Sequence, residues 1–190
     1  MPITALDSRT ALVLIDLQKG ITASGRALVP VRVEDVLTRA AQLATAFRAH
    51  GLPVVLVRVV GKPPGRTEKG FSLRDLPPDW AEIDPALAPR PGDHHVSKQT
   101  PGAFSDTGLE GWLRARQVTQ LVLGGISTSM GVEATGRQAY ELGFNTIFAT
   151  DAMTDTDAVS HENAITRIFP RIGERGSSTD ILVHLSALRR

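Results

Sequence analysis

Short apolar runs alternate with longer stretches of helical spacing along most of this chain. Ala11-Leu-Val-Leu-Ile15 is continuously apolar and ends at Asp16, the pattern of a strand buried on both faces. Between Pro30 and His50, apolar residues recur at Val33, Val36, Leu37, Ala40, Leu43, Ala44 and Phe47. That spacing predicts an amphipathic helix, with Glu34 and Asp35 suiting its first turn and Gly51 stopping it. Pro53–Val60 reads as a second buried strand, His95–Lys98 as a short one, Gln120–Gly124 and Thr146–Thr150 as two more, the last ending at Asp151. Helices are expected over Gly108–Arg116, Gly131–Leu142 and about Ser160–Phe169, with a weaker one after Ser178. In the helix from Gly131, the residues Val132, Thr135, Gly136, Ala139 and Tyr140 share one face.

Strands alternating with helices predict an α/β fold in three layers, a central and mostly parallel sheet covered on both faces. No repeat, linker or low-complexity tract divides residues 1–190, so a single domain is expected. Gly61–Gly92 breaks the alternation. It is rich in Pro, Gly and charge, and reads as a long surface excursion with one short helical turn around Trp80. Excursions of that length serve as lids or subunit contacts.

Composition narrows the partners. Lys and Arg number 21 against 20 Asp and Glu, a balance that supports neither nucleic acid nor an anionic membrane surface. Cysteine is absent, which excludes disulfides, Cys-ligated zinc and thiolate catalysis. Met1–Ser8 lacks the pattern of a signal peptide, and no apolar run approaches the ~20 residues of a membrane span. The expectation is a soluble, cytoplasmic protein with a small-molecule substrate.

Candidate chemistry gathers where strands end. Asp16 closes the first strand at the carboxyl edge of the sheet, where burial would raise its pKa and suit it to proton transfer; a loop-capping aspartate is the plainer reading. Lys98 ends another strand and, beside Asp16, would hold a carboxylate or an oxyanion; alone it would be a solvated surface lysine. Between Gly124 and Gly131 a buried strand enters a turn of small residues, Ser127, Thr128 and Ser129, and opens a helix, which favours a ligand pocket over a mere tight connection. The turn matches neither a dinucleotide nor a phosphate-loop motif. His94 and His95 point to opposite faces of a strand and cannot both hold one metal. His161 and Glu162 are read as solvent-facing, His50 and His184 as peripheral, and Arg66 and Arg74 as solvated.

Three blocks carry a resemblance that covers most of the chain: Ala11-Leu-Val-Leu-Ile-Asp-Leu-Gln18, then Lys98 with Gly102-Ala-Phe-Ser-Asp-Thr107, then Gly125-Ile-Ser-Thr-Ser-Met-Gly-Val-Glu-Ala-Thr-Gly-Arg137. Ala139–Phe144 and Asp151–Met153 follow in order. Together they resemble the isochorismatase-like hydrolases, a superfamily that includes cysteine amidohydrolases, and so imply the Rossmann-like topology of that family. The resemblance makes Asp16 and Lys98 catalytic and puts a nucleophilic cysteine where this chain has Gly131. It also implies a cis peptide at Ile126–Ser127, and an oxyanion hole from the N–H groups of Ser127 and Gly131. Gln18, Ile21, Phe104, Thr128 and Ser129 would line the substrate pocket, Ile21 standing where many members carry an aromatic residue. Neither metal nor cofactor is implied, and a homo-oligomer, a dimer or larger, is.

Glycine at position 131 rules out a covalent thioester there. The enzymes of this family that cleave the vinyl ether of isochorismate also resemble this chain in having glycine. Three readings follow: Asp-assisted, non-covalent hydrolysis of a small anionic metabolite, a catalytically silent ligand-binding member, or an amidohydrolase using Ser127 or Ser129.

Overall fold

A computed structural model describes residues 3–68 and 76–188. The strands are β1 (Thr10–Ile15), β2 (Val54–Val59), β3 (His94–Lys98), β4 (Gln120–Ile126), β5 (Asn145–Thr154) and β6 (Glu174–Gly176). They form a six-stranded sheet in the order β3-β2-β1-β4-β5-β6, and every neighbouring pair is parallel. The helices are α1 (Lys19–Thr22), α2 (Val33–Ala49), α3 (Leu109–Ala115), α4 (Glu133–Glu141), α5 (Ala158–Asn163), α6 (Phe169–Ile172) and α7 (Ser178–Ala187).

The uninterrupted apolar strands are explained by their two buried faces. Successive side chains of β1 alternate: Leu12 and Leu14 pack with Val36, Leu43 and Phe47 of α2 and Ile181 and Leu185 of α7. Val13 and Ile15 pack on the opposite face with Leu109 and Leu113 of α3 and Ala139 of α4. Each such side chain removed from water contributes roughly 1.5–3 kcal/mol. Because β1 lies at the centre, its carboxyl end is flanked by β2 and β4, and the residue that follows it, Asp16, is enclosed from both sides.

Several boundaries differ from the sequence expectation. β5 runs on to Thr154, because its pairing with β4 slips between Leu123 and Gly125 and resumes at Gly125–Met153 and Ile126–Thr154. Asp151 consequently lies within β5, and its carboxylate caps α7 through the Ser178 N–H and hydroxyl. β6 has three half-buried residues and no apolar run to betray it. The excursion holds hydrogen-bonded turns around Trp80, and among its described residues a short helix, of 3-10 type, falls at Pro85–Leu87 instead. Tyr140 does not share the buried face expected of it: it is 55% exposed while Gly136 and Ala139 form the seam against the sheet.

That seam is close. A Cβ at Gly136 would lie 2.6 Å from Cζ of Phe148, whose ring stacks on Phe169 with centroids 3.8 Å apart. No helix of the described residues is long and apolar enough to cross a membrane. Gly136→Ala should therefore overpack the α4–β5 contact and cost about 1–3 kcal/mol, read as a lower urea midpoint at unchanged slope.

Candidate active site

Asp16 leaves β1 with φ of 54°, the left-handed region that aspartate tolerates better than most side chains. The turn ends the strand and swings the carboxylate across the edge of the sheet, while its N–H still bonds the Val57 carbonyl at 2.8 Å. Lys98 closes β3, two strands away, and its long side chain spans that gap. Its Nζ lies 2.8 Å from Oδ2 of Asp16, with side-chain exposures of only 2% and 8%. The ammonium also donates to the Thr100 carbonyl at 3.1 Å. The other oxygen of Asp16, Oδ1, is buried with no hydrogen-bond partner.

These contacts set the protonation balance. Burial pushes the Asp16 carboxyl up to about 6, and the Lys98 ammonium only partly offsets this. An ordinary buried ion pair would satisfy both carboxylate oxygens. Here only Oδ2 is met by a protein donor.

The β4–α4 turn forms the opposite wall. Gly125 has φ of +126°, and a Cβ there would fall 2.1 Å from the Ile15 carbonyl oxygen, so only glycine fits. The peptide Ile126–Ser127 is cis. A wide π-type turn over Thr128–Val132 then leads into α4, beginning three residues before the expected start at Gly131. The Ser127 carbonyl accepts from the N–H groups of Met130 and Val132, on either side of Gly131. A Cβ built on Gly131 would lie 3.2 Å from Asp16 Oδ2, 3.5 Å from the Ile126 carbonyl oxygen and 2.8 Å from Cγ2 of Ile15. Gly131 thus faces the Asp16–Lys98 pair directly, and Ile15 has taken part of the room a side chain would need.

Other residues expected around the pocket have structural partners. Gln18 is fully buried, its amide donating to the Val59 and Trp80 carbonyls and accepting from the Val59 N–H. Its hydrogen bonds are thus spent on backbone rather than on a ligand. Ile21 packs into the core beside α2. Phe104 stacks on Phe144, which precedes β5, with ring centroids 6.0 Å apart. Thr128 is fully buried, donating to the Thr154 carbonyl and meeting Nδ1 of His161 at 2.8 Å. Ser129 is half-buried and its N–H donates to Asp155 Oδ2 at 2.7 Å.

Two supports went unseen in the sequence. His161, expected in solvent, is only 4% exposed because Thr128 draws it beneath the turn; burial holds its pKa below the ordinary value. Asp155 is 2% exposed and receives the Ser129 and Thr156 N–H groups, while its own backbone pairs with Val29. The only hint was an acid following a strand. Arg66 is exposed, and Arg74 lies outside the described residues. A cavity of about 450 Å³ bordered by Asp7, Tyr140, Arg171 and Glu174 opens at the opposite, amino edge of the sheet and has no part in this cluster.

A family model described as the isochorismatase domain matches residues 10–180. The chain belongs to the isochorismatase family. It is 42% identical to the isochorismatase family protein YecD of Escherichia coli O157:H7 over 183 residues, covering 91% of this chain and 94% of that protein. It is 31% identical to a maleamate amidohydrolase of Pseudomonas putida over 188 residues, covering 95% and 88%. Among solved structures, an isochorismatase family protein from Burkholderia thailandensis superposes with a TM-score of 0.91 at 38% identity, covering 96% of this chain and 98% of that one. This isochorismatase-family hydrolase thus shares its α/β fold along nearly its whole length with those relatives.

The sign of the Asp16 linkage gives a test within this family frame. Folded Asp16 keeps its proton to about pH 6, whereas an ordinary aspartate in water releases it near 3.8. The folded state binds more protons in that window, so the Asp16 contribution is fully present below it and lost as pH rises through about 6. The stability difference between wild type and Asp16→Asn should therefore change across pH 4–6 and level off above it, as measured by urea unfolding.

Proposed function

We propose that this hydrolase cleaves a small, anionic metabolite without a covalent intermediate, with Asp16 as general acid and base. The carrying observation is the unpartnered, buried Oδ1 of a carboxyl raised to about 6, beside a lysine that fixes the other oxygen. A vinyl ether of the isochorismate type is the first substrate class. Protonated Asp16 would deliver its proton to the terminal enol-ether carbon, leaving an oxocarbenium ion. Water adds to the carbon bearing oxygen and returns a proton to the Asp16 carboxylate. The resulting hemiketal then collapses to a carbonyl compound and an alcohol, so that one water is consumed overall.

Lys98 would hold Asp16 in place and attract the substrate's anionic group. An anion competing for the ammonium weakens its hold on Asp16 and favours the protonated acid further. Ser127 and Gly131 would offer N–H groups to developing negative charge at the turn. Gly131 stands where the resemblance puts a thiol, so the proposal needs no acyl-enzyme.

A second reading, hydrolysis of an amide, is favoured by the names of relatives such as the maleamate amidohydrolase and the ureidoacrylate amidohydrolase of Stutzerimonas stutzeri, 28% identical over 180 residues. It would need Ser127 or Ser129 as nucleophile with a nearby base. The hydroxyl that meets an imidazole belongs instead to Thr128, which is sealed from solvent. A serine adduct with an electrophilic acyl probe, seen by intact mass, would favour the amidase.

A panel of vinyl-ether carboxylates, amides and anionic metabolites, scored by turnover and by thermal shift, separates these readings. On the proposed one, a vinyl ether turns over, Asp16→Asn loses at least about 100-fold in kcat, and kcat/KM falls about tenfold per pH unit above about 6. Full activity in Asp16→Asn would sink the mechanism, and stabilisation without turnover across the panel would mark a binding protein.

A further inference from the structure

Lys98 is held from two directions. Its ammonium meets Asp16 Oδ2 at 2.8 Å and donates to the Thr100 carbonyl at 3.1 Å. Thr100 lies in the loop between β3 and α3, and residues 99–107 of that loop form bends and turns with no ladder of their own. Side chains order it instead. Thr100 Oγ1 donates to the Gly102 carbonyl at 2.9 Å, and Thr107 Oγ1 donates to the Ala103 carbonyl at 2.6 Å. Gln138 of α4 accepts the Phe104 N–H at 3.1 Å through Oε1 and donates to Ser105 Oγ at 2.8 Å through Nε2. A Cβ on Gly102 would fall 2.1 Å from that Oε1, so the loop lies directly against the amide. Three residues earlier, on the same face of α4, Thr135 Oγ1 accepts the Ala103 N–H at 3.1 Å.

Thr135 also reaches the opposite wall of the site. Its hydroxyl donates to the Gly131 carbonyl at 2.7 Å. A threonine hydroxyl carries one hydrogen, and here it goes to Gly131, so toward Ala103 the oxygen acts as acceptor. Helical threonines often donate to the carbonyl four residues back. What is added here is a buried N–H from a segment 32 residues away. Ala103 and Thr135 are fully buried and Gly131 is buried, so solvent does not stand ready to replace these bonds. The contacts close into a ring. They run from Asp16 through Lys98, Thr100, Gly102, Ala103 and Thr135 to Gly131, and a Cβ on Gly131 would lie 3.2 Å from Asp16 Oδ2.

We propose that Thr135 is a positioning residue, its hydroxyl fixing the Lys98 loop to the Gly131 turn and so setting where the lysine stands beside Asp16. This role rests on the reading of Asp16 and Lys98 as the reacting pair, yet it shows in their geometry before any substrate is supplied. Without the hydroxyl, the Ala103 N–H would be buried with no acceptor, a state costly enough that the loop shifts to find one. The Thr100 carbonyl moves with the loop and the ammonium follows it. Asp16 then loses part of the attraction that draws its carboxyl down. Among the described residues, Lys98 is the charged side chain in contact with Asp16, so the ionisation of Asp16 reports the position of the lysine.

The Asp16 carboxyl is titrated by carbon NMR in protein labelled at aspartate, its signal assigned with Asp16→Asn. Thr135→Val removes the hydroxyl and should raise the Asp16 midpoint by at least about 0.5 pH unit. Thr135→Ser keeps both the donor and the acceptor and should return the midpoint to the wild-type value. Phe47→Leu loosens the core on the other face of the sheet, controls for general loss of stability, and should leave the midpoint unchanged. If Thr135→Val does not fold, Thr135→Ala takes its place. The wild type supplies a check that needs no variant: the Ala103 amide should exchange its hydrogen as slowly as the amides within α4. Fast exchange at Ala103 overturns the role of Thr135. So does a midpoint that stays put without the hydroxyl, or one that moves equally in Thr135→Ser or Phe47→Leu. Full turnover in Asp16→Asn would instead count against the catalytic reading, and the titration would stand apart from it.

Discussion

The ion pair between Asp16 and Lys98 organises this end of the molecule. Enclosing two opposite charges at a distance of 2.8 Å is costly unless their remaining hydrogen-bonding capacity is met, and one oxygen of the pair is not. Burial raises the carboxyl to about 6 and gives the edge of the sheet a group able to exchange protons near neutrality. The surroundings maintain it. β1 ends in a left-handed aspartate, β3 supplies a lysine long enough to cross β2, and the β4 turn closes from the far side with glycines that let backbone approach backbone.

Behind the turn, a second set of contacts fixes its position without facing the pair. Asp155 gathers the Ser129 and Thr156 N–H groups, and Thr128 links the Thr154 carbonyl to His161. These residues are buried polar groups with their bonds made, the condition under which such groups stiffen a structure. The turn is thus held from three sides: by Ile15 below, by Asp155 behind and by the start of α4 above.

Much of this was legible in the sequence because the physics was local or periodic. Buried parallel strands declare themselves as continuous apolar runs, so β1, β2 and β4 fell within a residue or two of expectation. Asp16 and Lys98 could each be placed at a strand end from the same pattern. Their meeting could not, since it depends on β3 lying two strands from β1, an order no local signal encodes. The roles of Gln18, Phe104 and Thr128 were hidden for a related reason. Each is polar or aromatic, but what it touches is set by segments 26–62 residues away, such as Val59 and Trp80 for Gln18, Gln138 for Phe104 or Thr154 for Thr128. Asp151 and Asp155 illustrate the limit: two acids four positions apart, one within β5 and the other just past its end, serve opposite ends of the problem, one capping a distant helix and the other bracing the turn.

The nearness of Ile15 to Gly131 also bears on what the turn can carry. With Cγ2 standing 2.8 Å from where a Cβ would project, any residue larger than glycine at position 131 needs the neighbouring strand side chain to move at the same time. The site is therefore coupled across two elements: what the β4–α4 turn can carry at position 131 is decided by the last side chain of β1, so the two positions are to be varied together.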